Sequence, residues 1–162
     1  MGLDIAFWAL AIIGVAAALA VVLQGNVFRA ALTLVLCFVA VAGIYILLSA
    51  DFLAAVQILI YVGGISILII LAVMLTRDVQ HGSPSNKLML PALLVAAVFL
   101  GVLVYSVTNT PWVLSVSQPV EPTTAALADK MLGGGGFILA VEIAATLLLA
   151  AILGAIVIVR EK

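Results

Sequence analysis

Five stretches of this chain, at 5–23, 30–48, 52–75, 88–107 and 137–159, are apolar almost throughout, and Glu142 is the one charged side chain inside any of them. An α-helix rises about 1.5 Å per residue, so about 20 apolar residues cross a hydrocarbon core about 30 Å thick. The runs are continuous, without the two-residue alternation that a membrane β-barrel needs. Soluble domains are about half apolar and a quarter charged. Here 67% of residues are hydrophobic and 8% charged, too few polar groups to cover a particle in water. The reading is an all-α integral membrane protein: one membrane domain over 1–162 with five transmembrane helices.

Short polar breaks separate the runs. Gln24, Gly25 and Asn26 interrupt the first, and Asn26 is placed to cap the helix that follows. Ser49, Ala50 and Asp51 make a tight turn, and a polar loop over 76–87 contains His81, Gly82 and Pro84. Pro91 falls in the first turn of the fourth run, where its missing N–H is harmless. The one long connection, 108–136, holds Pro111, Pro119 and Pro122 and ends in four consecutive glycines. Before the first run there is no basic segment and no small-residue cleavage site, so that run is read as a retained helix.

Lysine and arginine set the orientation. With five spans, Arg29, Arg77, Lys87, Arg160 and Lys162 fall on one side and Lys130 alone on the other. The expectation is an N-terminus outside, a C-terminus in the cytoplasm, and the connection 108–136 facing outward. Asp4, Asp51, Glu121 and Asp129 lie on the outer side, against Asp78 and Glu161 inside. Trp8 and Trp112 fall near the outer boundary, where interfacial aromatics belong.

Glu142 is the outstanding candidate for chemistry. A carboxylate inside a span is costly unless it faces protein or water, which makes it a functional candidate by default; the plain alternative is an acid reaching the interface from near a helix end. Thr146, one turn deeper on the same face, is placed to hydrogen-bond it. In the third run, Gln57 lies near the depth of Glu142, and Tyr61 and Gly64 follow at spacings that put all three on one helical face. The adjacent Gly63 and Gly64 have two explanations. Small residues line helix contacts in membranes, and a local irregularity such as a π-bulge tends to mark a functional site.

Other chemistry is absent. The sequence has no GxxxxGK phosphate loop, no nucleophile beside a base, and no metal, haem or cluster ligand set: His81 is the only histidine and Cys37 the only cysteine. Cys37 is read as a buried structural thiol. A net charge of -1 offers no basic field for nucleic acid.

The run FLAAVQILIYVGGISILIILAVML at 52–75 resembles the third helix of subunit J, or chain 6, of proton-pumping NADH:quinone oxidoreductase, respiratory complex I. The run FILAVEIAAT at 137–146, with its apolar continuation to Val159, resembles the family's last helix, acid included. The resemblance covers essentially the whole chain and extends to the complex's photosynthetic relatives. It implies a membrane-arm subunit beside the quinone-site subunit, small subunits A and K and the antiporter-like subunits. It also implies a π-bulge around Tyr61, Val62 and Gly63 that switches between bulged and regular forms. Tyr61 would be swung by that rotation, with Gly63 and Gly64 giving it room. The switch would open or close a hydrated path from the quinone cavity toward the pumps. Some relatives carry an acid where this chain has Gln57, and an amide there orients water rather than carrying a proton. Glu142 and Thr146 remain lateral contributors to the polar path. No cofactor is expected in this chain; FMN and iron–sulfur clusters would reside in other subunits of an NADH-driven complex, with quinone as acceptor. The expected location is a bacterial plasma membrane or an equivalent energy-transducing membrane. Two other classes compete: an autonomous small transporter or channel with Glu142 in a polar path, and a scaffold subunit needing neither Glu142 nor the glycine pair.

Overall fold

The computed structural model describes residues 2–76, 88–112, 123–134 and 136–160. His81, Gly82, Pro84, Arg77, Asp78, Lys87, Pro119, Glu121, Pro122, Glu161 and Lys162 lie outside the described residues, as does Gly135 of the glycine run. Five helices are long and apolar enough to cross a membrane: α1 (Gly2–Leu23), α2 (Val27–Leu47), α3 (Asp51–Leu75), α4 (Met89–Asn109) and, after a short helix, α6 (Ile138–Val159). The short helix α5 (Thr123–Leu132) stands inside the long connection. The described residues contain no strand. Helices are the economical answer to a dry solvent, because each span satisfies its own backbone donors and acceptors.

Helix ends follow local chemistry. Asn26 caps α2, its Oδ1 accepting from the Arg29 amide at 3.1 Å. That cap starts the helix at Val27, ahead of the fully apolar stretch. At the far end Leu48, Ser49 and Ala50 turn the chain within three residues. The Ser49 amide donates to the Ile46 carbonyl at 3.0 Å and the Ala50 amide to the Tyr45 carbonyl at 2.9 Å. This is the Schellman pattern, which requires a left-handed residue at its centre. Ser49 fills that place with φ 56°, where glycine is the usual occupant.

α2 is the central strut. It packs against α1 on one side and along α3 on the other, while α1 and α3 do not meet. The contact surface consists of small residues: Ala17, Ala31, Ala40, Ala42 and Ala54 are the buried apolar side chains. A Cβ added at Gly14 would lie 3.6 Å from the Ala40 Cβ, and one added at Gly43 only 2.8 Å from Leu10 Cδ1. Small residues let two backbones approach closely, and dispersion then holds spans that lipid has no reason to push together. Cys37 is half-buried in this seam and its thiol donates to the Gly14 carbonyl at 3.8 Å. Large side chains point outward instead, such as Leu68 at 67% and Phe99 at 64% exposure.

The rest of the chain is open. α4 packs against no other described helix. α6 touches only α5, and α5 rests against the start of α3, with Thr123 and Leu127 beside Leu48 to Leu53.

Two substitutions test this packing. Gly43→Leu must displace Leu10 and separate α1 from α2, at a cost of about 1–3 kcal/mol. Ser49→Gly relieves the left-handed strain and gains about 0.5–1 kcal/mol. The melting temperature of the detergent-solubilised protein should fall in the first case and rise in the second.

Candidate functional site

α3 is not one regular helix. It is α-helical over Asp51–Val56, winds as a π-helix over Gln57–Ile65, and returns to α winding over Ser66–Leu75. The entry is ordinary, the Gln57 amide reaching the Ala54 and Leu53 carbonyls. At the exit the Ser66 amide reaches back five residues to the Tyr61 carbonyl and also to that of Gly63. The Ser66 hydroxyl donates to the same Tyr61 oxygen at 2.6 Å. The adjacent glycines make this winding accessible, since glycine gives up helix propensity more readily than any residue except proline. The backbone remains hydrogen-bonded through the change, as a membrane requires.

Gln57 and Ser66, at the two ends of the wide segment, are the buried polar side chains among the described residues, at 8% and 3% exposure. Tyr61 lies between them, 42% exposed, its ring edge-on to Phe38 of α2 at 5.4 Å and 68°. The α-helical spacing had placed Gln57, Tyr61 and Gly64 on one face. The structure separates them: Gln57 is buried while Tyr61 and Gly64 are exposed. The π winding spends more residues per turn, so that positions seven apart no longer stack and Gly64 leaves the face of Gln57. Val62 and Gly63 are half-buried.

The glycine pair is not a seam between helices of this chain. A Cβ at Gly63 would meet only the Ile58 carbonyl, at 3.4 Å, and one at Gly64 only the Leu59 carbonyl, at 4.0 Å. Both neighbours belong to the same helix, so the space beside the glycines is open to whatever lies next to α3.

Glu142 is not brought to this segment. It lies exposed on α6, which meets no other span. The Thr146 hydroxyl donates to the Glu142 backbone carbonyl at 2.9 Å, not to its carboxylate. That back-bond spends the one proton threonine can donate. Phe38 and Ser66 carried no role in the sequence reading. The polar Ser66 was visible inside an apolar run, but its partner emerges only once the winding is known.

Comparison with known proteins gives this chain a family. Residues 17–158 match the family described as NADH-ubiquinone/plastoquinone oxidoreductase chain 6. The chain belongs to this family. It is 37% identical to NAD(P)H-quinone oxidoreductase chain 6 of Leptolyngbya boryana, covering 98% of this chain and 80% of that one. It is 38% identical to F(420)H(2) dehydrogenase subunit J of Methanosarcina mazei, covering 93% and 86%. It is also 38% identical to NAD(P)H-quinone oxidoreductase chain 6 of Synechocystis sp., covering 97% and 80%. As a chain 6 subunit it is part of a membrane-bound quinone oxidoreductase complex, with other subunits of that complex as its partners.

The contact between α2 and α3 can be measured directly. A double-mutant cycle with Phe38→Leu and Tyr61→Leu should return a coupling of about 0.5–1.5 kcal/mol. A coupling near zero would mean that the ring contact does not hold Tyr61.

Proposed function

We propose that this chain couples quinone reduction to proton translocation through the π-wound segment of α3, in an assembled proton-pumping quinone oxidoreductase. The observation that carries the reading is the winding change over Gln57–Ile65, in a membrane span of a chain 6 subunit. A π segment holds one register of two. If its extra residue is taken up, one half of α3 turns against the other by about 100°, the angle one residue subtends in an α-helix. That turn moves Tyr61 relative to Gln57 and Ser66 and changes which of them a neighbouring cavity meets. The open space beside Gly63 and Gly64 lets it happen without a clash inside this chain.

The partners in this reading are the quinone-site subunit, small subunits A and K and the antiporter-like subunits. Two features support assembly with other chains. α4 and α6 find no neighbouring span within this chain. Glu142 stands exposed on α6, and a carboxylate at membrane depth needs protein or water beside it. The face of α6 that bears Glu142 is therefore placed against a partner that supplies a hydrogen-bond donor or a wet cavity. The catalytic centres belong to other subunits, with FMN and iron–sulfur clusters where the donor is NADH, and quinone as acceptor. The relatives' names carry NAD(P)H in two cases and F(420)H(2) in the third at nearly equal identity, which fits a donor chosen elsewhere in the complex. The orientation that goes with this reading has the N-terminus outside and the C-terminus inside a bacterial plasma membrane or its equivalent.

Purification in mild detergent through a tag after Lys162 should recover a large assembly with quinone-site and antiporter-like subunits. Recovery of a homo-oligomer alone would instead indicate an autonomous transporter. In the assembled complex, Gly63→Leu should lower protons moved per electron while quinone reduction persists, and Glu142→Gln should lower pumping. Thr146→Val, which removes only a backbone back-bond, should leave pumping within about twofold. Pumping unchanged in both Gly63→Leu and Glu142→Gln would leave a scaffold role.

A further inference from the structure

Among the described residues, six side-chain hydroxyls donate back along their own helices, and five of them do so in the ordinary way. Thr33 reaches Arg29 and Ala30, Thr76 reaches Ala72, Thr108 reaches Val104 and Tyr105, Thr110 reaches Ser106, and Thr146 reaches Glu142. Each spans three or four residues, as serine and threonine back-bonds in helices do. Ser66 is different. Its hydroxyl reaches five residues back, to the Tyr61 carbonyl, at 2.6 Å, and the residue is 3% exposed.

The position explains the need. Where pairing five residues apart returns to pairing four apart, the hydrogen-bond ladder shifts by one residue. The shift is visible here, because the Ser66 amide reaches both the Tyr61 carbonyl, five residues back, and the Gly63 carbonyl, three back. At membrane depth no water reinforces the backbone bonds at such a shift. The Ser66 hydroxyl adds a donor at that junction. In a regular α-helix each carbonyl has its own amide four residues ahead, and the same hydroxyl is surplus.

We propose that Ser66 is a positioning residue that latches α3 in its π register: its buried hydroxyl gives the Tyr61 carbonyl a second donor beside the Ser66 amide, through a bond five residues long that belongs to the π register. The inference rests on the proposal that α3 changes register during turnover, and assigns the residue that biases the two registers. The latch acts on Tyr61 through its carbonyl, while the Phe38 ring holds the same residue by its side chain. Register and ring position are thereby tied to one residue.

The test uses an isosteric pair in the intact complex. Ser66→Thr keeps the hydroxyl, and Ser66→Val has the same shape without it. The readout is the ratio of π to α winding in α3, from classified electron-microscopy images of the assembled enzyme at rest and during turnover. The valine variant should shift the ratio toward α by roughly 2- to 10-fold, the worth of one hydrogen bond. The threonine variant should stay at the wild-type ratio. Equal ratios in the two variants would overturn the latch. If the β-branched variants do not assemble, Ser66→Ala against wild type reads the same difference, and an unchanged ratio overturns the latch. The underlying switch fails separately: a wild-type α3 that stays π throughout turnover removes the switch, while a threonine-to-valine difference at rest still supports the latch. Loss of pumping in Gly63→Leu with no such difference keeps the switch and removes the latch.

Discussion

A hydrocarbon solvent offers a backbone no hydrogen bonds, and the features of this chain follow from that restriction. Each span must close its own ladder, so the apolar runs become helices whatever their individual propensities. The same restriction removes the hydrophobic drive between helices, leaving close contact as the main source of cohesion. Alanines and glycines therefore take the seam between α1 and α2, and large aliphatic side chains point away from it. Thiols and hydroxyls are drawn in as well. Cys37 finds the Gly14 carbonyl, and the threonines lean back on their own helices. In such a setting a change of winding is among the few ways a span can alter shape without exposing polar backbone. The π segment of α3 is that kind of change.

The division of the molecule follows from packing rather than from sequence distance. α1, α2 and α3 form a body around α2, while α4 and α6 are apolar on all sides and meet none of the other spans. Apolar faces alone would rest comfortably against lipid. Glu142 does not fit that picture, because its carboxylate has no place in hydrocarbon. An acidic side chain exposed on a helix without neighbouring spans agrees with membership of a family whose chains work inside a larger complex.

Much of this architecture could be read from residues alone, for a reason that also sets the limit. Span existence depends on apolar length, which a sequence displays directly. The Asn26 cap was legible because a short polar side chain between two apolar runs has few other uses. α5 was hidden in the long connection. Thr123–Leu132 is neither long enough nor apolar enough to announce itself, and it is placed by contact with the turn that opens α3. The site divides in the same way. Gly63 and Gly64 mark an irregularity by composition, but the shared face of Gln57, Tyr61 and Gly64 assumed the spacing of a regular helix. The π winding that makes the segment interesting also invalidates that assumption. The partner of Ser66 was hidden for the same reason, since a bond spanning five residues has no place in a helix counted by fours.

The geometry around Tyr61 joins these points. Its ring is held from outside the helix by Phe38, and its carbonyl from inside by the amide and hydroxyl of Ser66. Either restraint alone would leave the residue free to turn with its half of the helix or to exchange its backbone partner. In the proposed switch the two restraints would make the two motions one event, because rewinding would change the carbonyl's donors and the direction of the ring at once. Such coupling suits a two-state element, where intermediate positions satisfy neither restraint. Gln57, buried at the other end of the segment, keeps an amide in the interior across the same stretch. An amide can donate and accept but does not ionise, so it can order water in either register without shifting charge. Glu142 is the one charged side chain within the apolar runs, and it stands on a helix that meets none of the other spans.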